Sequence, residues 1–133
     1  MAGKYTGRFE SFKKSLASLA EVYDRDTSDS FVLSGTVQKF SITFDISWKV
    51  MKDLLCEYYG IVDYAAGSPR ETLKKAYSSN LIESDAWLDM MNDRNLLAHD
   101  YDGEIAKEKI ATIKDIYIPL LMDLQRKVEG LPD

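Results

Sequence analysis

One cysteine and one histidine are the only thiol and imidazole in this chain of 133 residues. That excludes a disulfide scaffold and any zinc site built from several such ligands. Three prolines and seven glycines are too few for a turn-dense all-β sandwich. No uncharged run approaches the roughly 20 residues needed to span a bilayer, and Met1 to Phe12 lacks the apolar stretch of a signal peptide. These absences predict a cytoplasmic, reduced protein with no membrane segment. Bases are scarce as well, 17 against 22 acids, for a net charge of −5. A dedicated binder of nucleic acid backbone carries the opposite excess. The imbalance is local: residues 83–104 hold seven acids, one base (Arg94) and the single histidine. No Gly-rich phosphate loop of either common spacing is present.

What remains is an ordinary globular composition, 45% hydrophobic and 29% charged, in a length that predicts one domain over residues 1–133. Apolar residues recur at helical spacing in three long segments. Phe9, Phe12, Leu16, Leu19 and Tyr23 step by 3 and 4. Leu33, Val37, Phe40, Phe44, Trp48, Met51, Leu55 and Tyr58 cover 25 residues in seven steps. Ile110, Ile113, Tyr117, Leu120, Leu124 and Val128 cover 18 in five. Nothing comparable alternates with period two, so the pattern predicts an all-α fold.

Breakers and caps set the boundaries. The cluster Asp24 to Asp29 separates the first two helices, Gly60 ends the second, and a loop runs to Gly67. Ser68-Pro69-Arg70-Glu71 reads as a helix start, with Ser68 at the N-cap, Pro69 at the first position and Glu71 reaching back as a capping box. Asn80 stops that short helix, Ser84 or Asp85 starts another, and Asp102-Gly103 opens the last, over about 103–129 with Pro119 as a kink. The expectation is an antiparallel bundle of three long and two shorter helices. A helix over residues 31–59 would be roughly 43 Å long, more than a small bundle covers. Its surplus apolar face predicts a homodimer.

Few residues offer chemistry. Cys56 lies between Leu55 and Tyr58 and reads as a small buried thiol. Met90, Met91, Trp48 and Trp87 read as core. Asp85, Asp89 and Asp93, at i, i+4 and i+8, share a helix face that could hold a divalent ion. A solvated stripe is the favoured reading, so no metal and no cofactor is expected. The remaining constellation is Arg94-Asn95-Leu96-Leu97-Ala98-His99-Asp100-Tyr101. Arg94 and His99, five residues apart, lie about 140° around a helix and do not share a face. They converge only if the helix ends near Ala98 or if a second copy supplies the partner.

Those eight residues fit the R-x-x-x-x-H motif of HEPN domains and resemble HepT toxins. With the preceding Ala86-Trp87-Leu88-Asp89-Met90-Met91 they are also similar to the family of nucleotidyltransferase substrate-binding proteins. The resemblance continues upstream through Val37-Gln38-Lys39-Phe40, Phe44-Asp45-Ile46-Ser47-Trp48-Lys49, Lys52 and Ser68-Pro69-Arg70-Glu71, covering about residues 8–125. It implies a HEPN-like helical domain, dimeric, with the motif lining a cleft between subunits. It implies a metal-independent endoribonuclease in which Arg94 and His99 are catalytic, paired with a cognate minimal nucleotidyltransferase as antitoxin. That partner silences the toxin by AMPylation of the motif tyrosine, here Tyr101. The alternative from the same resemblance is a non-catalytic substrate-binding subunit of the nucleotidyltransferase. A helical adaptor with an incidental motif is the least favoured reading.

The residue chemistry suits RNA cleavage without metal, which needs a base for the 2′-hydroxyl, an acid for the 5′-oxygen and a cation for the phosphorane. Imidazole performs either proton transfer, and the Arg94 fork matches phosphate oxygens. One imidazole per chain is poorly placed to be both acid and base, whereas a dimer brings two. Asn95 is a supporting hydrogen-bonding residue, and Asp100 either orients His99 or is solvated. The RNA would be a tRNA or an mRNA. The acidic surroundings require bases from elsewhere, with Lys13, Lys14, Lys49 and Lys52 as candidates.

Overall fold

The structure, a computed structural model, describes residues 7–61 and 67–132. Among these there is no strand: the fold is an all-α bundle. Helix α1 spans Gly7–Ala20 and runs into a 3₁₀ turn, Glu21–Asp24. Helix α2, Ser30–Asp53, starts where the Asp29 carboxylate accepts the amides of Phe31 and Val32. It continues through a π-turn, Leu54–Tyr58. Gly60, at φ +71°, takes the left-handed conformation that ends it. The expected loop to Gly67 lies largely outside the described residues, as do Met1 to Thr6 of the N-terminal segment.

Helix α3, Pro69–Ser78, begins as its sequence predicts, with Ser68 Oγ accepting the Glu71 amide at 3.2 Å. The Glu71 carboxylate does not return the bond, so only half of the capping box forms among the described residues. Asn80, at φ +62°, terminates the segment. Helix α4, Ala86–Leu97, is started by Ser84, whose Oγ accepts the Ala86 amide at 3.1 Å; Asp85 makes no capping bond. Helix α5, Glu104–Thr112, passes through a π-turn, Ile113–Tyr117, into α6, Ile118–Glu129.

That second π-turn is the form taken by the break expected at Pro119. The Ile118 amide bonds to the Ile113 carbonyl, one residue further back than in an α-helix. Pro119 has no N–H, so the Lys114 carbonyl loses both its α-helical and its π-helical donor. The Tyr23 hydroxyl donates to it instead, closing the backbone accounting.

Helices α1 and α2 are antiparallel, because their ties run in opposite order: Arg8 to Asp53, Ser15 to Thr43, Lys39 to Ser18. The seam between them holds buried Thr36, Thr43 and Ser47, which bond back to carbonyls of Val32, Lys39 and Phe44 on their own helix. These small, self-satisfied hydroxyl residues let α1 approach closely. The α5–α6 rod returns alongside α2, with Tyr117 stacked on Phe40 (ring centroids 5.6 Å apart) and the Tyr58 hydroxyl on the Pro132 carbonyl. Phe9, Phe12, Phe40, Phe44, Met51, Met90, Ile113 and Leu121 fill the centre.

Three core assignments shift. Cys56 is half-buried rather than buried, because the π-turn rotates it off the inner face. Trp48 packs against the core only in part, whereas Trp87, Met90 and Met91 are buried as expected. Tyr23 lies 46% exposed, its ring spent on reaching Lys114. No helix among the described residues is long and apolar enough to cross a membrane.

Candidate functional site

The orientation of α4 decides which motif residues meet. Its buried side carries Trp87, Met90, Met91 and Leu97 together with one charge, Asp93, which is only 8% exposed. The Tyr117 hydroxyl donates to one oxygen of Asp93 and Lys109 Nζ lies 3.2 Å from the other. Burial, and then the neighbouring Asp93, push the Tyr117 phenol well above its ordinary pKa, which keeps it a donor. Asp93 therefore departs from the expected solvated stripe, although Asp85 and Asp89 are exposed. No group of acids, histidine or cysteine among the described residues could hold a metal ion.

With Asp93 turned toward α5 and the π-turn, Arg94 is carried 100° further round and faces α2. There its guanidinium meets Asp45 in a bidentate pair, Nε to Oδ1 at 3.1 Å and Nη2 to Oδ2 at 2.7 Å. Both side chains are partly exposed. Asp45 stands inside a stretch that resembles the family, but no spacing rule ties it to a residue 49 positions away. Sequence reasoning missed it for that reason.

Beyond Leu97 the chain tightens, His99 N–H to Leu96 and Asp100 N–H to Leu97, and the helix ends. Asp100 neither orients His99 nor stands free in solvent. Its two carboxylate oxygens accept the amides of Ile105 at 3.0 Å and Ala106 at 2.8 Å, capping α5. Desolvation raises this carboxyl, but the amide bonds outweigh it and hold the group below the usual carboxylate range. Asp102 Oδ1 accepts the Glu104 amide at 3.1 Å, and Gly103 supplies the positive φ of +79° that the turn requires. Tyr101 is thus clamped by its backbone between two capping aspartates while its ring stands 92% exposed.

An open groove of about 640 Å³ runs between α2 and this turn, with Leu33, Val37 and Gln38 on one wall and Arg94, Tyr101 and Lys107 on the other. Arg94 and Tyr101 share it. His99 does not line it; although the helix stops at Leu97, the imidazole stays on the exposed side of α4. Asn92, Asn95 and His99, at i, i+3 and i+7, are all exposed there. Among the described residues no hydrogen bond or ion pair joins Arg94 to His99. Nor do Lys13, Lys14, Lys49 or Lys52 reach the groove. Lys13 pairs with Glu10 at 2.9 Å and Lys49 lies over the Trp48 ring. The groove's cations are Arg94 and Lys107, the latter 3.0 Å from Glu104.

A family model described as nucleotidyltransferase substrate binding protein like matches residues 7–130. A protein of Haemophilus influenzae named probable ribonuclease HepT is 30% identical over 89 residues, which cover 65% of this chain and 61% of that relative.

Proposed function

This chain belongs to the nucleotidyltransferase substrate-binding-like family, and we propose that within it the protein is a HepT-type ribonuclease toxin. In this reading it cuts RNA without metal, as a homodimer, and is silenced by a partner nucleotidyltransferase that adds AMP to Tyr101. The observation that carries the reading is the groove where Arg94 presents an oriented fork beside a fully exposed motif tyrosine. The name of the relative, a probable ribonuclease, supports it.

Cleavage proceeds by attack of a ribose 2′-oxygen on the adjacent phosphorus. The P–O5′ bond breaks and a 2′,3′-cyclic phosphate remains. One His99 takes the 2′-hydroxyl proton and a second protonates the departing 5′-oxygen, while Arg94 balances the charge on the phosphorane. Because His99 stands outside the groove of its own chain, a second copy is what unites imidazole with guanidinium. Tyr101, modified, places a phosphodiester and a nucleoside over the groove and competes for Arg94.

A second reading, a non-catalytic subunit that helps a nucleotidyltransferase hold its substrate, is favoured by a different observation. Asp45 already neutralises Arg94, and acidic Asp100, Asp102 and Glu104 surround the turn. The two readings separate in one assay. Purified protein incubated with RNA in EDTA should leave cyclic phosphate ends, and Arg94→Ala or His99→Ala should each abolish cleavage with unchanged circular dichroism. A wild type that never cuts RNA passes the function to the second reading. Light scattering reads the dimer directly, and a monomer mass at micromolar concentration removes the shared site.

A further inference from the structure

Ser68-Pro69-Arg70-Glu71 starts a helix, yet among the described residues its arginine has no carboxylate partner. Of the five arginines, Arg8, Arg25, Arg94 and Arg126 are each paired with a carboxylate: Asp53, Glu21, Asp45 and Asp123. Among the described residues Arg70 has none. It donates to the amide oxygen of Asn92 on α4, at a long 3.5 Å. A cation in the first turn of a helix also opposes the macrodipole, so α3 gains nothing from it. One turn on, Lys74 likewise has no ion pair among the described residues, and a further turn on Tyr77 stands 50% exposed.

These residues lead to the candidate site. Arg70 approaches Asn92, and Asn92 shares the exposed face of α4 with Asn95 and His99. The rise from residue 92 to 99 is roughly 10 Å. On the other side, Lys74 and Tyr77 border an apolar slot of about 310 Å³ floored by Leu73, Trp87 and Leu88. The carboxylates nearby are Glu71 beside Arg70, Asp85 across the slot, and Asp89, one turn before Asn92 on α4 and close enough to Tyr117 to act on its phenol. The flank of α4 that faces α3 thus carries two cations without a carboxylate partner among the described residues, Arg70 and Lys74, with the Asn92 amide and the half-exposed Tyr77 ring, beside the carboxylates of Glu71 and Asp85.

We propose that Arg70, Lys74 and Tyr77, with Asn92, form a binding face for single-stranded RNA on one side of the scissile phosphate. The proposal rests on the ribonuclease reading. Arg70 and Lys74 hold a neighbouring phosphate rather than the one that reacts, and Tyr77 stacks a base at the mouth of the slot, the combination that sequence-tolerant single-strand binders use. It also answers the charge problem of the motif, since backbone affinity comes from α3 instead of from the acidic turn.

The test uses a fluorescein-labelled 2′-O-methyl oligonucleotide, which has no nucleophile and cannot be cut, so binding is read independently of cleavage. Arg70→Gln/Lys74→Gln should weaken anisotropy-measured binding about tenfold or more, the loss expected of charge-assisted phosphate contacts. Its dependence on salt should be shallower by about 0.7 in the log–log slope for each phosphate that is no longer neutralised. On unmodified RNA, KM should rise while kcat holds. Tyr77→Ala should weaken binding on the order of tenfold with the salt slope unchanged. Arg70→Lys, which keeps the charge, should restore the slope. A double variant that binds like the wild type while both cut RNA overturns the face and leaves the ribonuclease reading standing. A wild type that neither binds nor cuts overturns both. Normal RNA binding with lost capture of the partner nucleotidyltransferase assigns the face to a protein and overturns the proposal as well.

Discussion

Arg94 and Asp45, 49 residues apart, share two parallel hydrogen bonds of 3.1 and 2.7 Å. The pair fixes the plane of the guanidinium and at the same time neutralises it. Those two effects oppose each other for a phosphate ligand. Asp45→Asn separates them: a phosphate no longer competes with a carboxylate, but the fork loses its preset geometry. KM for RNA should therefore fall. The rate should drop about two- to tenfold, the order set by ordering one long side chain anew, ~0.5–1.5 kcal/mol. Global stability should change by less than about 1 kcal/mol, since the pair is partly exposed. A variant with unchanged kcat and KM would show that the pair has no bearing on catalysis.

Tyr117→Phe reports on what aims Arg94. The phenol is one of two partners of the buried Asp93, and removing it leaves that carboxylate to Lys109 alone. A lost bond to a buried ionised group costs about 1.5–3 kcal/mol. Urea denaturation should show a loss of that order without a change in m-value. No loss would mean that Asp93 is satisfied otherwise.

Much of this was legible in the sequence. The three apolar stripes place α1, α2 and the α5–α6 rod, because periodicity is a property of one helix read alone. Ser68, Asn80 and Gly60 act where their chemistry predicts. What stayed hidden depends on register between helices. Thr36, Thr43 and Ser47 form a buried seam yet do not count as apolar in any stripe. Asp93 looks like the third member of an acidic surface row until Tyr117 and Lys109 arrive from 24 and 16 positions away. The helix end near Ala98, one of the two conditions under which Arg94 and His99 converge, is met, and His99 lies past the last helical residue.

Asp100 gives a pH signature. Its folded pKa lies below the ordinary value because the Ile105 and Ala106 amides overcome the effect of desolvation. A depressed carboxyl contributes stability above its unfolded pKa, about 3.9 for aspartate. That contribution is lost as pH falls from there through the lower folded value. Asp100→Asn should lower Tm at pH 7, and the gap to wild type should close below pH 4. A gap that stays constant across that range would place the effect in packing, not in the cap.

Tyr101 stands where the local structure leaves a motif side chain open to solvent. The aspartates on either side hold its backbone while nothing holds its ring, which is 92% exposed at the rim of the Arg94 groove. A phenol attacks an activated phosphate once a base assists it, and here no packing has to be broken first. The first transfer from ATP forms a bond from the phenol oxygen to the α-phosphorus, passes the phenol proton to the assisting base, releases pyrophosphate and leaves an anionic phosphodiester at the groove that Arg94 lines, and any further unit joins the AMP already added. Incubation with the partner nucleotidyltransferase and ATP should add about 329 Da for each AMP unit. Tyr101→Phe should remain at its unmodified mass, keep cutting RNA and resist neutralisation, because the ring itself supports nothing else. AMP recovered on another residue, or a Tyr101→Phe protein that is still silenced, removes the tyrosine from the switch.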